Sequence, residues 1–129
     1  MLTFTRLLAR QVQSLVRRTL HLQPRFYART AVQLQGSTRG LTIRCATDTA
    51  AVEIHDQVPQ PEEALLVPFT VFDDCAGKRS DTVTLERDGD HQISGQWRDG
   101  QVPQLYRYDQ PVTVLEFPRL PLPRAENSP

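Results

Sequence analysis

From Met1 to Thr47 the chain has no aspartate and no glutamate. The same stretch carries eight arginines: Arg6, Arg10, Arg17, Arg18, Arg25, Arg29, Arg39 and Arg44. All 15 acids fall in the 82 residues that follow, against seven bases. A formal net charge of zero therefore conceals one segment at +8 and another at −8. Ordinary protein surfaces intersperse both signs. An acid-free opening of this length implies either a basic face offered to a polyanion, with an acidic face turned away, or a targeting signal.

Other absences narrow the function classes. No apolar run approaches the ~20 residues of a membrane span, and no uninterrupted apolar stretch follows the first arginines as a secretory signal requires. There are only two cysteines, Cys45 and Cys75, without CxxC spacing. They read as reduced core thiols of an intracellular protein, and nothing supports a disulfide between them. His21, His55 and His91 lie far apart, whereas structural zinc demands a cluster of Cys and His. No GxSxG elbow, GxxxxGK[ST] loop or GxGxxG fingerprint occurs. The pairs Asp73-Asp74 and Glu62-Glu63 are adjacent, so their carboxylates point in different directions and form no acid–base dyad. No catalytic residue, metal or cofactor is expected.

What is present reads as one domain over 1–110, with a proline-rich linker or tail over 111–129 that holds five of the ten prolines. Apolar residues at Phe4, Leu7, Leu8, Val12, Leu15, Val16 and Leu20 trace a stripe that predicts a helix from Thr5 to Leu20, capped by Thr3 or Thr5. Arg6, Arg10, Gln13, Ser14, Arg17 and Arg18 fall mainly on the opposite side. Period-two alternation predicts strands at Ala31–Gln35, Leu41–Ala46 and Ala50–Asp56. After the polar loop Gln57–Glu63 the pattern restarts with a buried strand at Ala64–Val67. A second helix follows over Pro68–Ala76, with Pro68 in its first turn and Gly77 as its stop. Strands then follow at Thr82–Arg87, His91–Arg98 and Gln104–Tyr108, with Asp88-Gly89-Asp90 and Asp99-Gly100 at the turns. Counting Leu2–Phe4 as an opening strand, the order strand, helix, strand, strand, strand occurs twice. The expected fold class is α+β: an antiparallel sheet with two helices on one face.

In that order the chain resembles the first domain of the bacterial DNA polymerase III beta sliding clamp. The likeness is carried by LTFT before LLARQVQSLV, by GLTIRCATDTAAVEI, by LLVPFTVFDDCAGKRSDTVTLE and by EFPRLP, spread over about 110 residues. The resemblance implies a DNA-clamp-like domain of a replication processivity factor, without catalysis, whose helices line a ring threaded by double-stranded DNA. Basic side chains would meet phosphates without reading bases. Carried onto this chain, the implied DNA-facing residues are Arg6, Arg10, Arg17, Arg18, Arg25, Lys78 and Arg79. The implied subunit interface is the strand Gln104–Tyr108, through Leu105, Tyr106 and Tyr108. The resemblance also implies self-association or other clamp-like partners, replication proteins, no membrane, and a bacterial cytoplasmic, nucleoid-associated location. A bacterial clamp subunit has three such domains and this chain has one.

Two other readings compete. The opening helix also has the amphipathic, Arg-rich, acid-free character of a mitochondrial presequence. Alternatively, the domain is an interaction or scaffolding module that keeps a clamp fold without binding DNA. Trp97, the only tryptophan, is expected in the core or at a sheet edge. Base stacking there would need Tyr106 and Tyr108 as further exposed aromatics.

Overall fold

The computed structural model describes residues 1–47 and 49–111. The expected linker or tail lies outside the described residues from 112 onward, and so does the EFPRLP stretch. The described chain runs β1 (Leu2–Thr5), α1 (Arg6–Leu20), a 3-10 helix (Pro24–Arg29), β2 (Ala31–Ser37), β3 (Gly40–Ala46) and β4 (Ala51–Asp56). It continues with β5 (Glu63–Pro68), α2 (Thr70–Cys75), β6 (Thr82–Arg87), β7 (Gln92–Asp99) and β8 (Val102–Asp109). The α+β class and the doubled order of strand, helix and three strands are both present.

The single sheet expected from the sequence is replaced by two. One has the strand order β1-β6-β7-β8 and the other β4-β3-β2-β5. All neighbouring pairs are antiparallel. The physical reason is an exchange of opening strands. β1 leaves its own half to pair with β6, Leu2 opposite Leu85 and Phe4 opposite Val83. β5 leaves the second half to pair with β2, Val32 opposite Val67 and Leu34 opposite Leu65. Each meander of three strands is thus completed by a strand from the other half.

The exchange gathers one core. Leu2, Phe4, Val83, Leu85 and Ile93 from the first sheet join Val32, Leu34, Ile43, Leu65 and Val67 from the second, and both helices contribute to the same cluster. Aromatic rings bridge the elements. Phe4 stacks on Phe72 at 5.6 Å, and Tyr27 meets Phe69 edge-on at 4.7 Å. Cys45 and Cys75 are free thiols inside this core, and burial pushes the pKa of both up to about 12.

Three local expectations change or hold for identifiable reasons. Pro68 ends β5 opposite Ala31, so α2 begins at Thr70 without a side-chain cap. A strand at the sheet edge tolerates a missing N–H as well as a first helical turn does. Gly77 is not the expected left-handed helix stop, because α2 closes at Ala76 in an extended conformation. The turn glycines match their expected role: Gly89 and Gly100 adopt φ of 84° and 66°, and a Cβ at either would meet nothing.

The exchanged strand β1 lies at a sheet edge, and Gln60 seals it. This polar side chain is almost fully buried, 6% exposed. Its Oε1 accepts from the Thr3 N–H at 3.1 Å, and its Nε2 donates to the Thr3 carbonyl. The Gln60 backbone N–H donates to the Ser37 carbonyl at the end of β2, 2.8 Å away. One residue therefore ties the two sheets together. Gly36 sits beneath it, where a Cβ would come within 2.4 Å of the Pro61 carbonyl oxygen. Gln60→Ala strips both partners from Thr3. It is expected to lower the unfolding free energy by about 2 kcal/mol, measured as a lower urea midpoint at unchanged slope.

Candidate nucleic-acid interface

α1 owes its place to its ends and its buried stripe. Thr5 Oγ1 accepts from the Leu8 N–H at 3.0 Å, closing the N-terminus. His21 takes a left-handed conformation with φ of 52° and closes the C-terminus. Arg17 and Arg18 lie in the last turn, where the helix dipole favours cations. The buried stripe is Ala9, Val12, Val16 and Leu20, and the helix packs against α2 and β4. This corrects the expected stripe at two positions, because Leu7 and Leu15 are 40% and 39% exposed. The stripe is centred on Ala9 and Val16, about half a turn away from Leu7 at the 3.6-residue period.

The outward face of α1 carries Leu7, Arg10, Gln11, Ser14, Leu15, Arg17 and Arg18, all exposed. Two shallow troughs cross it, one running past Arg10, Ser14, Arg17 and His21, the other past Leu7, Gln11, Leu15 and Arg18. Arg18 donates to Ser14 Oγ at 3.2 Å. Among the described residues neither Arg10, Arg17 nor Arg18 forms an ion pair. An acidic group does approach one margin of this face. Gln13 Nε2 donates to Asp73 Oδ1 on α2 at 2.7 Å.

The other basic residues flank α1 at its two ends. Lys78 and Arg79 are exposed in the connection after α2. That connection wraps the start of α1, since Gly77 N–H donates to the Arg6 carbonyl and Arg6 N–H to the Asp81 carbonyl. Arg25 lies beyond the other end, exposed in the 3-10 helix. The outward arginines of α1, from Arg10 to Arg18, span about 12 Å along the helix axis.

Arg6 does not belong to this face. Its side chain is 11% exposed and turned into the domain. Nε donates to the Cys75 carbonyl at 3.0 Å, Nη2 to the Ala76 carbonyl at 3.2 Å, and Nη1 to the Arg98 carbonyl at 3.0 Å, with Asp99 3.5 Å away. The guanidinium thus caps the C-terminus of α2 and holds the turn between β7 and β8. A planar fork with five donors suits three converging carbonyls. Gly77 makes room for it, because a Cβ there would lie 2.8 Å from the Arg6 guanidinium. Local sequence carries no sign of this, since the three carbonyls come from residues about 70 and 90 positions away.

At the expected subunit interface the three residues separate. Leu105 is 59% exposed and Tyr106 41% exposed on β8, an edge strand. Tyr106 stacks on Trp97 with ring centroids 4.9 Å apart. Tyr108 is 7% exposed and part of the core, so it is not available as an interface residue. Its hydroxyl donates to Asp74 Oδ2 at 2.8 Å, tying β8 to α2. Burial and the bonded carboxylate both raise the Tyr108 phenol above its ordinary range. Burial also raises Asp74; the Tyr108 hydrogen bond opposes this, and neighbouring Asp73 adds to it. Strand alternation puts Tyr106 and Tyr108 on one face, but only the inner of the two reaches the core.

The outer face of the second sheet carries Thr42, Arg44, Glu53 and His55, as strand alternation places them, and joins them into a polar ladder. Arg44 and Glu53 face each other across β3 and β4, as do Thr42 and His55. Arg44 Nε and His55 Nε2 both bond the Glu53 carboxylate, and Thr42 Oγ1 lies 3.3 Å from His55 Nδ1. Burial pushes Glu53 up, but the hydrogen bonds from His55 and Arg44 outweigh it and leave its carboxyl below the ordinary value. The group stands on an open sheet face, as cross-strand polar pairs commonly do. Among the described residues no three or more His, Cys, Asp or Glu side chains gather to hold a metal. No helix among them is long and apolar enough to cross a membrane. Comparison with known proteins adds no relative: no family model matches the sequence, and neither does any curated protein.

Arg6→Ala leaves three carbonyls without their donor and is expected to cost about 3 kcal/mol of stability, read by urea unfolding. Arg6→Lys should recover only a minor part of that loss, because a compact ammonium cannot reproduce the fork that reaches all three.

Proposed function

We propose that this chain is a non-catalytic, DNA-sliding-clamp-like domain that associates with double-stranded DNA without regard to sequence, as part of a replication processivity apparatus. The carrying observation is the solvent face of α1, where Arg10, Arg17 and Arg18 stand exposed without an ion pair among the described residues. Lys78 and Arg79 at one end of α1 and Arg25 beyond the other are exposed as well, and Arg6 serves the fold instead. The clamp reading draws further support from the doubled strand–helix–three-strand order and from two helices packed against each other.

The physical mechanism asks little of the protein. Guanidinium groups release counterions from phosphates, so association is weak and falls steeply with salt. Contacts that avoid base edges leave the duplex free to slide. Retention then depends on self-association. β8 supports this part of the reading, because an edge that is unpaired among the described residues, with Val102, Leu105 and Tyr106 exposed, invites another chain. The proposed setting is the bacterial cytoplasm, at the nucleoid, with other clamp-like domains or replication proteins as partners.

A second reading has its own observation. Leu7 and Leu15 stand exposed among the arginines of α1, and phosphate contact gives them nothing to do. An interaction module that docks a protein on this mixed apolar and basic face would use them. Duplex binding separates the two. Each phosphate that an arginine no longer neutralises should reduce the slope of log affinity against log salt by about 0.9, so replacing Arg10, Arg17 and Arg18 with Ala should reduce it by about 2.7. Fluorescence anisotropy with a mixed-sequence duplex reads this directly. An unchanged slope removes α1 as the DNA-facing surface, and no duplex binding at low ionic strength favours the interaction module.

A further inference from the structure

Just beyond α1 the 3-10 helix presents an aromatic ring between two cations. The Arg25 guanidinium carbon lies 4.8 Å from the Phe26 ring centroid, and that of Arg29 lies 5.5 Å from it. Phe26 is 36% exposed. Two like charges drawn to one ring repel each other, and among the described residues no ion pair relieves either arginine. The sequence offers no acid from Met1 to Thr47 to do so locally. The group is therefore short of an anion, and Phe26 keeps about a third of its surface in water beside the two guanidiniums that lie over its ring.

The segment that carries it is held firmly. Phe26 N–H donates to the Gln23 carbonyl at 2.9 Å, and Thr30 Oγ1 donates back to the Phe26 carbonyl at 2.7 Å. Phe69 N–H donates to the Thr30 carbonyl at 2.8 Å. Tyr27, the next residue, is buried edge-on against Phe69. With Tyr27 anchored inward, Phe26 is fixed outward at low entropic cost.

We infer that Arg25, Phe26 and Arg29 form a binding site for single-stranded nucleic acid, in which an unpaired base takes the place of a guanidinium on the Phe26 ring and the released guanidinium turns to a flanking phosphate. An exposed ring beside paired cations matches the two chemistries a nucleotide offers, a π face and a phosphate. Inside a duplex the base faces are covered, so this site discriminates in favour of unpaired strands. It goes beyond the duplex association proposed above and does not depend on it.

The test uses the full chain at low ionic strength, with labelled oligothymidylate, oligouridylate of the same length, and a blunt duplex as probes. The wild type should bind the single strands, and Phe26→Ala should weaken that binding roughly 5- to 100-fold, the range expected when one base loses its stacking partner. Duplex affinity should stay within about twofold. Binding of both single strands assigns the site to nucleic acid generally, and binding of oligothymidylate alone assigns it to DNA. Phe26→Trp should retain binding, and the fluorescence of the added indole should be quenched by oligothymidylate, which keeps the test valid if the alanine variant fails to fold. Three results would overturn the inference: no single-strand binding by the wild type, equal losses on single strand and duplex, or no quenching of the added indole at saturation. Failure of the duplex proposal shows separately, in the wild-type duplex titration.

Discussion

The whole arrangement depends on the exchange of opening strands. β1 completes the sheet of the second half and β5 completes that of the first, so neither half has a finished sheet alone. Hydrophobic burial drives the exchange, since Leu2, Leu65, Val67 and their partners are almost fully buried. Directional bonds fix its register. Gln60 stands in for a missing neighbour along β1, and Arg6 locks the start of α1 to the end of α2. With both halves welded, α1 has one side committed to the core and the other free for solvent.

That division accounts for the charge asymmetry without a special fold. The opening 47 residues carry no carboxylate, and their arginines are mostly drawn to carbonyls, as Arg6 is, or left facing water. Two of them also meet carboxylates, Arg44 at Glu53 on the neighbouring strand and Arg6 at Asp99. Among the acids of the second half, Asp73 reaches the margin of α1 through Gln13. The outward α1 surface is thus basic in its centre and bordered by an acid on one side.

Much of the fold is legible from local pattern. Period-two alternation locates β2, β3 and β4 to within a few residues, the apolar run ALLV marks β5, and Asp-Gly turns mark the hairpins of the second half. The number of sheets is not legible, because which strand pairs with β1 or β5 is decided by residues tens of positions away. Leu7 and Leu15 mislead for a related reason: a stripe of seven apolar residues is wider than the surface that α2 and β4 offer. Arg6 looks like its neighbours because a carbonyl-capping role leaves no mark beyond Gly77. Of the candidate interface residues, Tyr108 goes to the core, held there by its bond to Asp74. The Arg25–Phe26–Arg29 group does have a local signal, cations one before and three after an aromatic residue, but only the structure shows that both guanidiniums turn toward the ring.

The proposed function puts a polyanion along the outward face of α1. Backbone amide shifts during titration with a short mixed-sequence duplex at low ionic strength test it most directly. The account predicts shifts concentrated at Arg10, Ser14, Arg17, Arg18 and Arg25, with the Thr42–His55 ladder on the second sheet unmoved. Shifts centred on that ladder, or spread evenly over the domain, would contradict it.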